Sequence, residues 1–362
     1  MKTIKVFSLF CLSLVFVVTY SFATMKNFAE TILRDFPKRK VVILGDLVAD
    51  QFLHGTIARV SREAPVFILS HNDTETLAGG AANAAVNVAS LGGNSVAVGL
   101  IGQDQNGDAL LKELKSAKVN CDLVVATPNF QTTTKVRVLA GHHYALRQQV
   151  IRIDYENKTQ VNAEIRQQLQ QNLVSATKNA DAIIISDYSL NPDFGVVIPE
   201  ITELALKIAK GKQIPLVVDS RFSLQNFYGA TSATPNQDEV EQILGKNFTE
   251  SDCLKLVEKL GYQSLLVTRG NKGMLLIEKD KTPVEFDSIG SKEPVDVTGA
   301  GDTVIATYAL SLASGMSFAE SATIANHAGG IVVMKKRTAT AGVEELLESL
   351  RKSTENEAEA TA

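Results

Sequence analysis

Short apolar runs, each closed by a polar or acidic side chain, recur along the chain. Lys40-Val41-Val42-Ile43-Leu44-Gly45-Asp46 is the first, and Ala182–Ser186, Leu216–Asp219 and Leu265–Thr268 repeat the form. Unbroken runs of this length suit strands covered on both faces, as in a parallel sheet. Between them, stretches such as Glu164–Thr177 and Ile198–Ala209 return apolar residues at helical period. The alternation predicts an α/β fold built on a doubly wound, mostly parallel sheet. Asp46, Asp187, Asp219 and Thr268 stand at the carboxyl ends of the runs, the edge along which open α/β sheets hold ligands.

A second pattern alternates with period two. Thr134-Lys135-Val136-Arg137-Val138 and Val150-Ile151-Arg152-Ile153, with Phe67-Ile68-Leu69, predict a small antiparallel sheet with one covered and one wet face. Its strands are expected near residues 52–70 and 131–153, forming a lid or an oligomer surface on one domain spanning 25–350. The chain ends differ from this body. No charged residue occurs from Val6 to Ala23, and Ser21-Phe22-Ala23 has the form of a cleavage site. Residues 1–24 therefore read as a signal peptide or anchor, or as an over-extended start with Met25 as the working initiator. The remainder has the character of a cytoplasmic protein. Residues 351–362, with Glu355, Glu357 and Glu359 among Ala and Thr, are expected to form an acidic flexible tail.

Composition narrows the function more than the fold. Of 362 residues 45% are hydrophobic and 21% charged, enough for a full core and against disorder as the main state. With 36 basic and 40 acidic residues the net charge of -4 supplies no field for nucleic acid. Cys11, Cys121 and Cys253 are dispersed and odd in number, which argues against a disulfide framework or a structural zinc site. Apart from the His142-His143 pair, the five histidines are scattered.

Two glycine-rich segments carry the candidate chemistry. Asp296-Val297-Thr298-Gly299-Ala300-Gly301-Asp302 leads into the apolar helical pattern Thr303–Ala313. Small residues at a helix start leave backbone N–H groups free to meet an anion. Asp302, at that start, is placed to take a proton from a hydroxyl attacking a bound phosphoryl group, although an acidic residue after glycines also serves as an ordinary helix cap. The second segment, Ala78-Gly79-Gly80-Ala81-Ala82-Asn83, lets backbone approach a ligand while the Asn83 amide offers both donor and acceptor to vicinal hydroxyls. Neither the P-loop pattern GxxxxGK[ST] nor an early GxGxxG is present.

The two segments in this order resemble the ribokinase-like, or phosphofructokinase-B, carbohydrate kinases. Gly92 and Gly102 follow Asn83 at that family's spacing, Thr234-Pro235-Asn236-Gln237-Asp238-Glu239 is similar to its TPNxxE, and Val267-Thr268-Arg269-Gly270-Asn271-Lys272-Gly273 to its VTxGxxG. Within the family, Gly45–Asp50, Arg59–Val66, Thr134–Val138 and Ser186-Asp187-Tyr188 resemble the branch of heptose 7-phosphate kinases that feeds ADP-heptose and lipopolysaccharide synthesis. That branch is often fused to a nucleotidyltransferase. No such sequence follows Arg351, so the likeness is to a stand-alone kinase working with a separate transferase.

The resemblance implies a fold, a reaction and a set of residues. Mg·ATP would phosphorylate the anomeric hydroxyl of D-glycero-D-manno-heptose 7-phosphate, with fructokinase- or ribokinase-like activity, or a non-catalytic sugar-binding protein, as alternatives. Asp302 is implied as the base, with Gly299, Ala300 and Gly301 stabilising charge on the phosphoryl group. Asp50, Gly79, Gly80 and Asn83, with Asp46 nearby, are implied at the sugar. Asn236 and Glu239 fall in the Mg²⁺–triphosphate region, Thr268, Gly270, Gly273 and Asn326 around ATP, and Asp296 and Thr298 in a possible K⁺ loop. A phosphorylated sugar also needs a cationic clamp, for which Lys135, Arg137, Arg152 and Arg221 are candidates. Members of the branch commonly carry Asp-Pro-Lys where this chain has Asp219-Ser220-Arg221; Arg keeps the charge and adds bidentate geometry. A homodimer through the lid sheet is the expected assembly.

Overall fold

A computed structural model describes residues 27–142, 147–158, 160–189, 194–291 and 293–361. The signal-like segment 1–24 and His143 lie outside these residues. The large sheet is assembled from β1 (Lys40–Gly45), β4 (Asn94–Val98), β9 (Ala182–Asp187), β10 (Leu216–Ser220), β11 (Ser232–Ala233), β12 (Ser264–Thr268), β13 (Met274–Glu278) and β14 (Val284–Phe286). The spatial order is β14-β13-β12-β11-β10-β9-β1-β4, parallel except for the antiparallel edge made by β13 and β14. All four apolar runs identified in the sequence are strands here. A separate parallel pair joins β5 (Leu100–Gly102) to β6 (Val125–Thr127).

Strand residues divide strictly between two cores because successive side chains point to opposite faces. Val41, Ile43, Ile184 and Val217 face one layer, where α1 (residues 27–34), α2 (Ala81–Ser90), α3 (Gln105–Ser116), α8 (Ala300–Ala313), α9 (Phe318–Val332) and α10 (Val343–Thr361) pack. Val42, Leu44, Ile183, Ile185 and Val218 face the other, with α4 (Ala163–Ala176), α5 (Pro199–Lys212), α6 (Gln237–Leu244) and α7 (Glu250–Leu260). The predicted doubly wound sheet is therefore present.

The smaller sheet has the order β3-β2-β7-β8, from β2 (Leu47–Val60), β3 (Phe67–Gly80), β7 (Thr134–Gly141) and β8 (Gln148–Tyr155). It is antiparallel apart from the central β2–β7 pair, which is parallel. Its strands run longer than the period-two signal suggests, and β8 starts two residues earlier. In β3 the stretch Ser70-His71-Asn72-Asp73-Thr74 is exposed on both faces, so no alternation marks it.

At the carboxyl end the backbone is helical through Thr361. Arg351 bonds Glu355 and Lys352 pairs with Glu348, each four residues apart, the spacing at which opposite charges support a helix. No helix among the described residues is long and apolar enough to cross a membrane.

Candidate active site

Asp302 sits on the third residue of α8 and is 4% exposed. It does not cap the helix. Gly299 occupies the cap position at φ 78 and provides no side-chain cap; the Ala300 N–H bonds the Val297 carbonyl at 3.3 Å, and those of Gly301 and Asp302 have no side-chain cap. A Cβ on Gly299 would lie 2.5 Å from Asn83 Nδ2, so glycine is required there by space as well as by its left-handed backbone. The Asp302 carboxylate is held from two sides. Asn83 Nδ2, from the first turn of α2, donates to Oδ2 at 2.8 Å, and the Tyr188 hydroxyl donates to Oδ1 at 2.9 Å. Burial, partly opposed by these two donors, pushes the Asp302 pKa up to about 6.

Tyr188 follows β9 directly. Its hydroxyl also lies 3.2 Å from Asp219 Oδ2 at the end of β10. Burial, reinforced by the neighbouring Asp302 charge, raises Asp219 well above the ordinary carboxylate range. Asp187 is pushed up to about 7 by burial and by Asp46, with Ser220 donating to it at 2.7 Å.

On the lid side, Asp50 of β2 accepts from Arg137 at 2.7 Å and from Thr338 Oγ1 at 3.2 Å. Arg137 and Asp50 side chains are 12% and 6% exposed, a buried pair. Gly79 stands opposite Val48 in the β2–β3 ladder, and a Cβ there would come within 2.9 Å of the Asp50 carboxyl carbon. Lys135 lies next to Asp50 in the β2–β7 register and places its ammonium 5.3 Å from the centre of the Tyr188 ring. Burial lowers its pKa, with Asp50 acting against that shift.

On the other side of α8 lies a cleft of about 740 Å³, counting the space open to solvent. Thr268, Gly270, Gly273, Ala300, Gly301 and Asn326 all line it. The structure thus brings together four of the six residues matched to the nucleotide, with two of the three at the helix start; Asn236 and Glu239 do not line this cleft.

Several implied residues are engaged differently from expectation. Asp46 is not open to a sugar: Tyr188 and Ser189 donate backbone N–H bonds to Oδ2, and Val196 donates to Oδ1. A buried carboxylate at the end of β1 binds the loop after β9 because those amides would otherwise be unpaired. Asn83 likewise has partners within the protein. Its Nδ2 serves Asp302 and Gly299 O, and its Oδ1 accepts from Asn87. Asn236 and Glu239 form a reciprocal capping box at the start of α6, which leaves one oxygen of Glu239 without a bond in that box. Asp296 accepts from the backbone N–H groups of Thr298 and Arg337 and also interacts with the Thr298 side chain, and so anchors the loop before α8. Gly80 ends β3 at φ 54 and turns the chain into α2.

Among the candidate clamp residues, Arg137 is paired with Asp50, and Arg152 makes two bonds to Asp154 at 2.7 and 2.6 Å. Arg221 is exposed after β10, stacked near Phe222. Residues 337–338 were not foreseen. Arg337 bonds Glu75 and lies over Phe52, and Thr338 reaches Asp50. Tyr188 and Asp219 had a sequence signal, since each stands at the carboxyl end of an apolar run, but nothing there joined them to Asp302.

A buried acid at the head of a helix, between a small-residue cleft and a charged lid, defines a group-transfer enzyme acting on a hydroxyl. Residues 38–346 match the model of the pfkB family carbohydrate kinases. The chain belongs to that family and is an ATP-dependent carbohydrate kinase. It is 39% identical over 317 residues to a protein of Haemophilus influenzae named "Bifunctional protein HldE", covering 86% of this chain and 63% of that one. A Vibrio cholerae protein of the same name is 38% identical over 329 residues, covering 90% and 66%. The chain thus spans about two thirds of the length of these relatives. In fold it is similar to Arabidopsis thaliana ribokinase complexed with ribose and ATP (TM-score 0.67, 21% identity, 86% and 99% covered). Escherichia coli phosphofructokinase-2 in complex with substrates and products gives a TM-score of 0.69 at 17% identity, with 87% and 99% covered.

Proposed function

We propose that the chain transfers the γ-phosphoryl group of Mg·ATP to the anomeric hydroxyl of D-glycero-D-manno-heptose 7-phosphate, giving the 1,7-bisphosphate. The observation that carries this is Asp302, a buried carboxylate fixed by two donors between the nucleotide cleft and the lid. The hydroxyl oxygen attacks phosphorus, its proton passes to Asp302, and the bridging bond breaks with its electron pair leaving on ADP. The uncapped first turn of α8 faces the charge spread over the transferred group. Glu239, whose pKa burial raises, fits a site that gains from a nearby cation, and we assign it with Asn236 to Mg²⁺ on the triphosphate.

Of the four candidate clamp residues, two have no carboxylate within ion-pair distance among the described residues, Lys135 and Arg221. Lys135 neighbours Asp50 and Asp302 and suits the sugar phosphate. Arg221 acts on Glu239 and suits the triphosphate. Exposed Phe67, Val150, Ile151, Ile153 and Tyr155 on the small sheet are consistent with a second copy of the chain covering the lid.

The test is ATP consumption with heptose 7-phosphate against ribose, fructose and fructose 6-phosphate. Turnover selective for the heptose supports the proposal, and preference for an unphosphorylated sugar overturns the substrate.

A further inference from the structure

We propose that Tyr188 is a positioning residue for the base, giving its one hydroxyl proton to Asp302 while accepting a hydrogen bond from a protonated Asp219. This rests on the reading of Asp302 as base. A phenol has a single proton, yet Tyr188 Oη lies 2.9 Å from an oxygen of Asp302 and 3.2 Å from an oxygen of Asp219. Both contacts are hydrogen bonds only when one of the two carboxyls is itself a donor. The surroundings choose which. Asp219 is 8% exposed, and the largest charges acting on it, Asp302, Glu239 and Asp187, are acidic. A buried carboxyl without a cation holds its proton. Asp302 instead has the Asn83 amide on its second oxygen and Lys135 nearby, with Asp50 as the opposing charge.

The donors therefore run in one direction, from Asp219 to Tyr188 to Asp302, and end on the oxygen that must be ionised to receive the sugar proton. The other titratable groups facing this chain are Asp46 behind the Tyr188 backbone and Arg221 beyond Glu239. Lys135 lies over the Tyr188 ring and helps to fix its plane.

Carboxyl ¹³C NMR of aspartate-labelled protein tests the assignment with no sugar present, Asp219 and Asp302 being identified by loss of signal in D219N and D302N. The expected result is a protonated Asp219 at pH 7. Tyr188→Phe should raise the Asp302 midpoint by about one unit, because the ionised form loses a donor. Asp219→Asn should leave the Asp302 midpoint in place, since it exchanges one neutral group for another. An ionised Asp219 at pH 7, an unmoved midpoint in Y188F, or a lowered one in D219N overturns the proposal. The acid limb of kcat/KM with heptose 7-phosphate should move with the Y188F midpoint, at an unchanged KM for ATP. At pH 6 that is a loss of about 5-fold, as the ionised fraction falls from about one half to about one eleventh. If D302N keeps near-normal turnover, Asp302 is not the base, and the NMR result then decides the proton chain by itself.

Discussion

The two sheets use similar apolar residues to different ends. In β9 every residue of Ala182–Asp187 is buried, whereas in β8 every residue of Gln148–Tyr155 is exposed. Both carry isoleucine, Ile183, Ile184 and Ile185 in β9 and Ile151 and Ile153 in β8. The large sheet is covered twice by its own helices and can hold carboxyl groups such as Asp219 at fixed positions. The small sheet leaves Ile151 54% exposed and holds its site residues by charge instead, through Arg137 on Asp50 and Arg337 on Glu75. Asp302 and the cleft beside α8 thus stand on a doubly covered support, and Asp50 on one that depends on ion pairs.

That contrast can be broken in stages. Asp302→Asn should reduce turnover by about 10²–10⁴-fold, the usual contribution of a positioned base, with ATP binding by calorimetry retained. Arg137→Met removes the partner of a buried carboxylate and should cost about 3–5 kcal/mol in denaturant unfolding. The same change to Arg152, whose pair with Asp154 is 39% and 32% exposed, should cost at most about 1 kcal/mol. Equal losses at the two positions would show that the lid does not depend on the Asp50 pair.

Stability against pH should separate the two supports further. The Asp302 pKa rises from 3.8 to about 6, burial being the main cause. Between those values the folded chain keeps a proton that the unfolded chain has released. The contribution of Asp302 to stability is therefore complete below the lower value and is lost as pH climbs through about 6. At about 1.4 kcal/mol per unit the loss amounts to about 3 kcal/mol. Asp302→Asn should accordingly raise the Tm at pH 8 but not at pH 4, and an equal rise at both would reject the buried charge. The smallest effect concerns assembly: Ile151→Asp should weaken self-association in sedimentation without altering the unfolding midpoint of the isolated chain.

What could be read from the sequence followed the same division. The β1, β9, β10 and β12 runs were legible because burial on both faces demands uninterrupted apolar residues. The glycines of Gly299–Gly301 and the position of Asp302 were legible because a backbone constraint leaves few residue choices. The central parallel pairing of β2 with β7 was not, since it is set by partners 85 residues apart in number, Asp50 and Lys135. Nor were the inward turns of Asn83 and Asp46. Both carry polar groups able to serve a sugar or the protein's own amides, and only the arrival of α8 and of the loop after β9 decides between them.

Only Asp46 separates β1 from β2, and three amides pin its carboxylate. The strand that leaves this pivot carries Asp50 four residues on and Val60 fourteen residues on, about 13 and 46 Å at roughly 3.3 Å per residue. Any rigid tilt of the outer sheet about the pivot is scaled down more than threefold at Asp50. A swing of several ångströms at the rim reaches the Asp50 carboxylate as an adjustment of hydrogen-bond size, the gearing of a long arm working a short one.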